Sequence, residues 1–128
     1  MKASRAAADA APRLSPTQRQ GREAEQRAQA FLIGQGLSPV AANASSRLGE
    51  LDLVMRDRDE WVFVEVRQRR RSDFGGAAAS IDAAKQARVR RAAQVFLLAR
   101  FGQRPWPACR FDVVAFDGQA CRWIRSAF

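Results

Sequence analysis

Hydrophobic and polar positions alternate most regularly between Gly49 and Arg67, in GELDLVMRDRDEWVFVEVR. Two apolar runs flank the polar turn Arg56–Glu60, a pattern that predicts two strands joined as a hairpin. Strand side chains repeat every second residue. Glu50, Asp52 and Val54 therefore share one face of the first strand, and Trp61, Phe63, Glu65 and Arg67 share one face of the second. If the strands pair, Asp52 and Glu65 converge on one side of the sheet.

Helical spacing governs two other stretches. Ser15-Pro16-Thr17-Gln18 reads as a helix start, with Ser15 as N-cap, Pro16 as first helical residue and Gln18 as capping-box partner. That helix runs to about Gln35, and Ala24, Ala28, Phe31, Leu32 and Gln35 fall on one side of it. Glu25 stands at the edge of this apolar stripe, whereas Glu23 points elsewhere; by periodicity alone a surface pair of Glu25 with Arg22 or Gln29 is the better reading. A second helix, capped by Ser80 or Asp82, reaches about Arg100 and ends before Gly102 and Pro105. Its inward face is Val89, Ala92, Ala93, Phe96 and Ala99. Lys85 lies one turn before Val89, in the middle of that face. Its stem either snorkels to water or carries the amine to the strand acids.

The remaining elements are strands. Ser38–Ala44 makes a weak edge strand, because Pro39 is tolerated only where its missing N–H is not needed. Phe111–Phe116, the turn Asp117-Gly118 and Gln119–Ile124 form a hairpin, with Cys121 facing roughly Val114. Asp112, a lone acid among apolar residues, calls for an arginine partner. The order is helix, three strands, helix, two strands: an α/β fold in one domain spanning Ser15–Phe128. Met1–Leu14, Ala-rich and without a large apolar residue before Leu14, reads as a disordered basic tail.

Composition narrows the chemistry. Lys and Arg total 22 against 13 Asp and Glu, a net charge of +9, and nearly all the cations are arginine. The guanidinium fork suits phosphate oxygens, so nucleic acid is the first partner to consider, although charge also serves solubility. Histidine is absent, which excludes Ser-His and Cys-His nucleophile pairs and His-ligated zinc. Cys109 and Cys121 lack zinc-ligand spacing and fit a reduced, cytoplasmic interior better than a disulfide. No apolar run approaches a membrane span, and the N-terminus lacks the apolar core of a signal peptide.

Acids on apolar strands must shift their pKa, find a cation or hold a metal. A single strand acid reads as a salt bridge. Two acids on facing strands, followed by Arg67, point to Mg²⁺ or Mn²⁺, which take carboxylate oxygens and water. Directly after Arg67 comes the basic, Gly-containing loop QRRRSDFGG, whose Arg69, Arg70 and Arg71 stand beside the acids as phosphate clamps or as solvated charge. Arg88, Arg90 and Arg91 add basic surface on the second helix.

Several motifs together resemble the YraN-like family of predicted endonucleases. They are G-x-x-A-E-x-x-A (Gly21 to Ala28), G-E-L-D-L-V, F-V-E-V-R, F-G-G (Phe74 to Gly76), Lys85-Gln86 and R-F-D-V-V (Arg110 to Val114). The likeness covers about Gly21 to Gly118. That family is similar to archaeal Holliday-junction resolvases and the PD-(D/E)xK nucleases, which implies a restriction-endonuclease-like αβββαβ core with a mixed sheet flanked by helices. It further implies Glu25 as the helix acid, Asp52 as the metal-binding aspartate, Glu65 as the acid of the E-x-K triplet and Glu50 as an assistant.

The resemblance implies a metal-dependent DNA endonuclease, with branched or flapped DNA and a homodimer following from the resolvases. One departure stands out: Arg67 occupies the lysine position of the nuclease pattern. Arginine supplies charge but no base. Either a metal-activated water needs no side-chain base, or Lys85 supplies the amine, or catalysis is weak or lost. The competing readings are a non-catalytic nucleic-acid-binding or partner-binding module, and an interaction subunit whose acids are tied up by arginines.

Overall fold

The computed structural model describes residues 13–69 and 81–128. Residues 1–12 of the expected tail, the loop arginines Arg70 and Arg71, and Ser80 lie outside the described residues. Helix α1, Pro16–Gly34, starts as its sequence requires. The Gln18 amide N–H donates to Ser15 Oγ at 3.1 Å, and the Ser15 N–H donates to Gln18 Oε1 at 2.8 Å. This box satisfies donors that the first helical turn leaves without partners. Its buried stripe is Ala24, Ala28 and Leu32.

Five strands follow in one sheet of order β1-β2-β3-β4-β5. They are β1 (Ser38–Ser46), β2 (Gly49–Asp57), β3 (Glu60–Arg69), β4 (Cys109–Asp117) and β5 (Ala120–Ile124). Helix α2, Ala83–Phe101, lies between β3 and β4 in the chain and is capped by Asp82, whose carboxylate accepts the Lys85 N–H at 2.8 Å. β3 and β4 are parallel, a pairing that needs such a crossover, and the other three pairs are antiparallel.

The sheet is therefore mixed, and its central strands are apolar on both faces. On one side Leu53, Met55, Val62, Val64, Val66, Val114 and Phe116 pack with the α1 stripe. On the other, Val54, Trp61 and Phe63 pack with Val89, Ala92, Ala93 and Leu97 of α2. The result is the three-layer α/β core expected from the sequence.

Several boundaries differ from the sequence reading. The β2–β3 turn tightens to Arg58-Asp59, with Asp57 paired to Glu60 and Arg58 at φ 60°. β1 continues two residues past Ala44 because Ser45 and Ser46 pair with Glu50 and Gly49. The last hairpin places Cys121 opposite Phe116 instead of Val114. On α2, Leu97 is buried and Ala99 is exposed, so the face that packs on the sheet is displaced from the one the wheel predicts. Asp112 finds its arginine: Arg110 Nε donates to Asp112 Oδ1 at 3.0 Å, while Arg110 Nη1 reaches Asp57 at 3.1 Å and Glu60 at 2.8 Å. This guanidinium pins the β2–β3 turn to β4.

Alternation also breaks inside β2, and the break shapes the site. Leu53 faces α1, yet Leu51 packs with Val54 beneath α2. Glu50, Asp52 and Val54 therefore do not keep one regular face. The β2–β3 ladder ends at Leu53↔Val64. Beyond it, Asp52 Oδ2 accepts the Val66 N–H at 3.0 Å, so a side chain stands in for the missing ladder partner. Gly49 begins β2 at φ +141°, a conformation rare for residues with a side chain. A Cβ on it would make ordinary contacts of 3.6 and 3.8 Å with the Arg88 carbonyl and Ala92, so the backbone conformation, not crowding, favours glycine there. The start of β2 thus lies against the first turns of α2.

Candidate functional site

The opening between β2 and β3 becomes the floor of a cleft of about 600 Å³. Asp52, Val66, Arg67 and Arg69 come from the strands, Glu25 from α1, and Lys85 and Arg88 from α2. Four elements, α1, β2, β3 and α2, thus bring Glu25, Asp52, Arg67, Arg69, Lys85 and Arg88 to one cavity. Glu65 lies beneath it, only 1% exposed. Lys85 Nζ stands 3.4 Å and Arg67 Nη2 3.8 Å from Glu65 Oε1. Of the two readings of Lys85, its amine reaches the strand acid.

The remaining residues named from sequence sit farther out. Glu50 is exposed and accepts a bond from Ser45 Oγ at 3.0 Å. It lies at the margin, where its charge raises the pKa of both Glu25 and Asp52. Arg91 is exposed on α2 and does not line the cleft. Arg90 turns away, with its guanidinium 5.8 and 5.3 Å from the ring centres of Phe111 and Phe128.

Burial dominates the electrostatics. Desolvation, then the neighbouring Asp52 charge, pushes both Glu25 and Glu65 up to about 7. Desolvation also raises Asp52, against the opposing pull of the Val66 N–H, Lys85 and Arg67. Among the described residues, Glu25 Oε1 and both Glu65 oxygens are buried without a hydrogen-bond partner, and Glu65 Oε1 has only its ion-pair contacts. Orphaned carboxylate oxygens of this kind are expensive unless a cation arrives.

A hard divalent cation fits this donor set, because Mg²⁺ and Mn²⁺ favour oxygen and Mg²⁺ keeps much of its water while using one or two acids. Among the described residues no three acids or thiols close on one point, so an all-protein cage is not what the residues offer. Asp52 lines the cleft and Glu65 lies beneath it, so a cation there would take most of its ligands from water.

The same burial predicts how stability responds to pH. A carboxyl whose folded pKa is raised favours the protonated fold, so metal-free stability falls as pH rises from about 4.5 to about 7. Glu65 alone contributes on the order of 3 kcal/mol to that fall. A cation at the acids reverses it. Melting with and without Mn²⁺ should show little metal effect at pH 5 and a rise of about 10 °C at pH 8. A metal effect independent of pH would count against these acids as its site.

Sequence reasoning missed some of the walls. Thr17 and Gln20 line the cleft beside Gly21, and the available signal was that Gln20 stands four residues before Ala24, and Thr17 eight before Glu25. Asn43 on β1, at φ 54°, lowers the Glu25 pKa through its side chain. An asparagine in a weak edge strand gave no sign of this role.

Fold and cleft define a three-layer α/β protein with a buried acid pair under a cationic rim. Comparison with known proteins agrees with the motifs: residues 24–116 match the model of uncharacterised protein family UPF0102. A UPF0102 protein of Halorhodospira halophila is 50% identical over 116 residues, covering 91% of each chain. One of Dechloromonas aromatica is 52% identical over 112 residues, covering 88% of this chain and 90% of that protein. The UPF0102 protein YraN of Escherichia fergusonii is 45% identical over 117 residues, covering 91% and 89%. The chain belongs to the UPF0102 family, which is the YraN-like family its motifs resemble. No helix among the described residues is long and apolar enough to cross a membrane.

Proposed function

We propose that this protein is a metal-dependent DNA endonuclease, acting in the cytoplasm. The observation that carries the reading is the desolvated pair Asp52 and Glu65 at the point where the β2–β3 ladder opens, with Lys85 Nζ 3.4 Å from Glu65. Asp52 and Glu65 would hold Mg²⁺ or Mn²⁺. Once bound, the ion supplies Lewis-acid charge for phosphodiester hydrolysis.

The chain's own groups do the rest. Glu25, its pKa near 7, exchanges a proton at Oε1 close to neutral pH. Arg67 offers fixed positive charge to a phosphoryl oxygen but cannot act as a base. Lys85 provides the amine that the strand lacks at Arg67. Arg69 and Arg88 hold flanking phosphates at the cleft, while Arg70, Arg71 and Arg91 extend the footprint. Branched or flapped DNA as substrate, and a dimer, rest on the resolvase likeness.

A second reading has its own support. Glu65 already has two cations within 4 Å, and Arg67 replaces the usual lysine. A non-catalytic module that binds nucleic acid on this fold would keep those ion pairs and need no metal.

The deciding assay is cleavage of labelled linear, flapped and four-way DNA in Mg²⁺, Mn²⁺ or EDTA. Wild type, Asp52→Asn, Lys85→Ala and Arg67→Lys are compared. Metal-dependent cuts that vanish in Asp52→Asn and fall at least tenfold in Lys85→Ala are expected. Silence in wild type with activity in Arg67→Lys would mean one residue disables the site. Silence throughout, with DNA still bound, favours the binding module.

A further inference from the structure

The first turns of α1 form a wall of the cleft that the proposed chemistry leaves unused. Thr17, Gly21 and Glu25 follow at four-residue intervals, so they share one face of the helix, and all three line the cleft. Gly21 is exposed and lies outside the left-handed backbone region. A Cβ added there would meet nothing within 4 Å among the described residues. Glycine destabilises a helix interior relative to alanine because it loses more backbone freedom on folding.

Among the described residues, neither packing nor backbone conformation therefore asks for glycine at this position. One physical use of a missing side chain is close approach by a ligand. The surroundings say what kind of ligand it is. Arg67, Arg69, Lys85 and Arg88 line the same cleft and outnumber its acids Glu25, Asp52 and Asp82. Beside Gly21, Thr17 and Gln20 offer uncharged donors. No acid occupies the first turn of α1, so nothing there repels an anion or offsets the positive end of the helix.

We infer that the sugar–phosphate backbone of bound nucleic acid passes directly against Gly21. Thr17 and Gln20 donate to it, and the absent side chain sets how near the strand lies to Glu25. This rests on the nucleic-acid reading above and adds a substrate-contact position to it.

The test compares DNA binding with stability in Gly21→Ala and Gly21→Leu. Ala30→Leu serves as control, since Ala30 is exposed and lies half a turn round α1 from Gly21. Anisotropy with a labelled duplex and its separated strand is read in EDTA, so that binding is measured without chemistry. Gly21→Ala should raise Tm by about 2–4 °C yet weaken binding roughly tenfold, and Gly21→Leu should weaken it further. Ala30→Leu should bind as wild type does.

A variant that melts higher yet binds worse is an outcome that a purely structural role does not produce. Equal binding by wild type and Gly21→Ala would overturn this inference alone. A lower Tm in Gly21→Ala would show that the chain itself uses the notch, and would also overturn it. If wild type bound neither DNA, the proposed function would fall first and this contact with it.

Discussion

Glu65→Gln should reduce metal-dependent cleavage by roughly a thousandfold while making the metal-free protein more stable at pH 8. Both effects come from one group. The Glu65 carboxyl is buried beneath the cleft, its oxygens lack hydrogen-bond partners among the described residues, and burial lifts its pKa to about 7. At pH 8 it is largely ionised in the fold, which costs stability because burial and the Asp52 charge outweigh the nearby Lys85 and Arg67. A neutral amide of the same shape removes that cost and gains roughly 1–3 kcal/mol. At pH 5 the carboxyl is protonated in the fold and most of this difference disappears, so the two melting temperatures should converge.

The amide would be a poor substitute for a metal-binding carboxylate, so the Mn²⁺-induced rise in Tm should disappear with the activity. Melting at pH 5 and 8, with and without Mn²⁺, reads all of this in one series. If Glu65→Gln instead lost stability at pH 8, Glu65 would be a structural partner of Lys85 and Arg67, and the second reading would gain.

Arg110→Ala should destabilise the protein by about 3–5 kcal/mol, with or without metal. Its guanidinium joins Asp57, Glu60 and Asp112, and Asp112 is completely buried. Asp112 would retain the Trp123 indole at 3.0 Å and the Ser126 N–H at 2.9 Å, but no countercharge. A charge left buried without its cation is among the largest single-residue penalties available to a fold. The expected fall in Tm is roughly 15 °C. Arg110→Lys should recover only part of it, since an ammonium cannot reproduce the fork that reaches three carboxylates. A loss below about 1 kcal/mol would mean the network is solvated and the β2–β3 turn is held by other contacts. The R-F-D-V-V motif thus belongs to the architecture, while G-E-L-D-L-V and F-V-E-V-R feed the cleft.

That division was only partly legible in the chain. Asp112 could be read as needing an arginine because an acid among apolar strand residues must be paired. Which arginine was not readable, since Asp57 and Glu60 meet Arg110 only when β3 and β4 align in parallel. The same holds for Lys85. Helical spacing placed it on the inward face of α2, but only the height of that helix over the sheet brings its amine to Glu65 and not to open water. Periodicity put Glu25 at the edge of an apolar stripe, where it favoured a surface pair, and only the family resemblance raised it to a site residue. Its deeper setting, with Asp52 and Asn43 nearby, follows from packing α1 against the opening in the sheet.

Local physics was written plainly in the sequence. The Ser15 capping box, the Asp82 cap, the Asp117-Gly118 turn and the alternation of β3 all act over a few residues. Such signals survive without knowledge of neighbours. They determined the order of elements, the two apolar helix faces and the candidate pairing of Asp52 with Glu65.

The tertiary structure decided where the β2–β3 ladder stops, and with it the character of the site. Alternation predicts a continuous face; the packing of Gly49 and Leu51 against α2 breaks it, and Asp52 then takes the Val66 N–H. Burial of the three carboxyls, and so their raised pKa values, is a property of that long-range packing. A periodic pattern states which side of a strand is apolar. It does not state which strand lies beside it, how far the pair extends, or how much water is left between the acids.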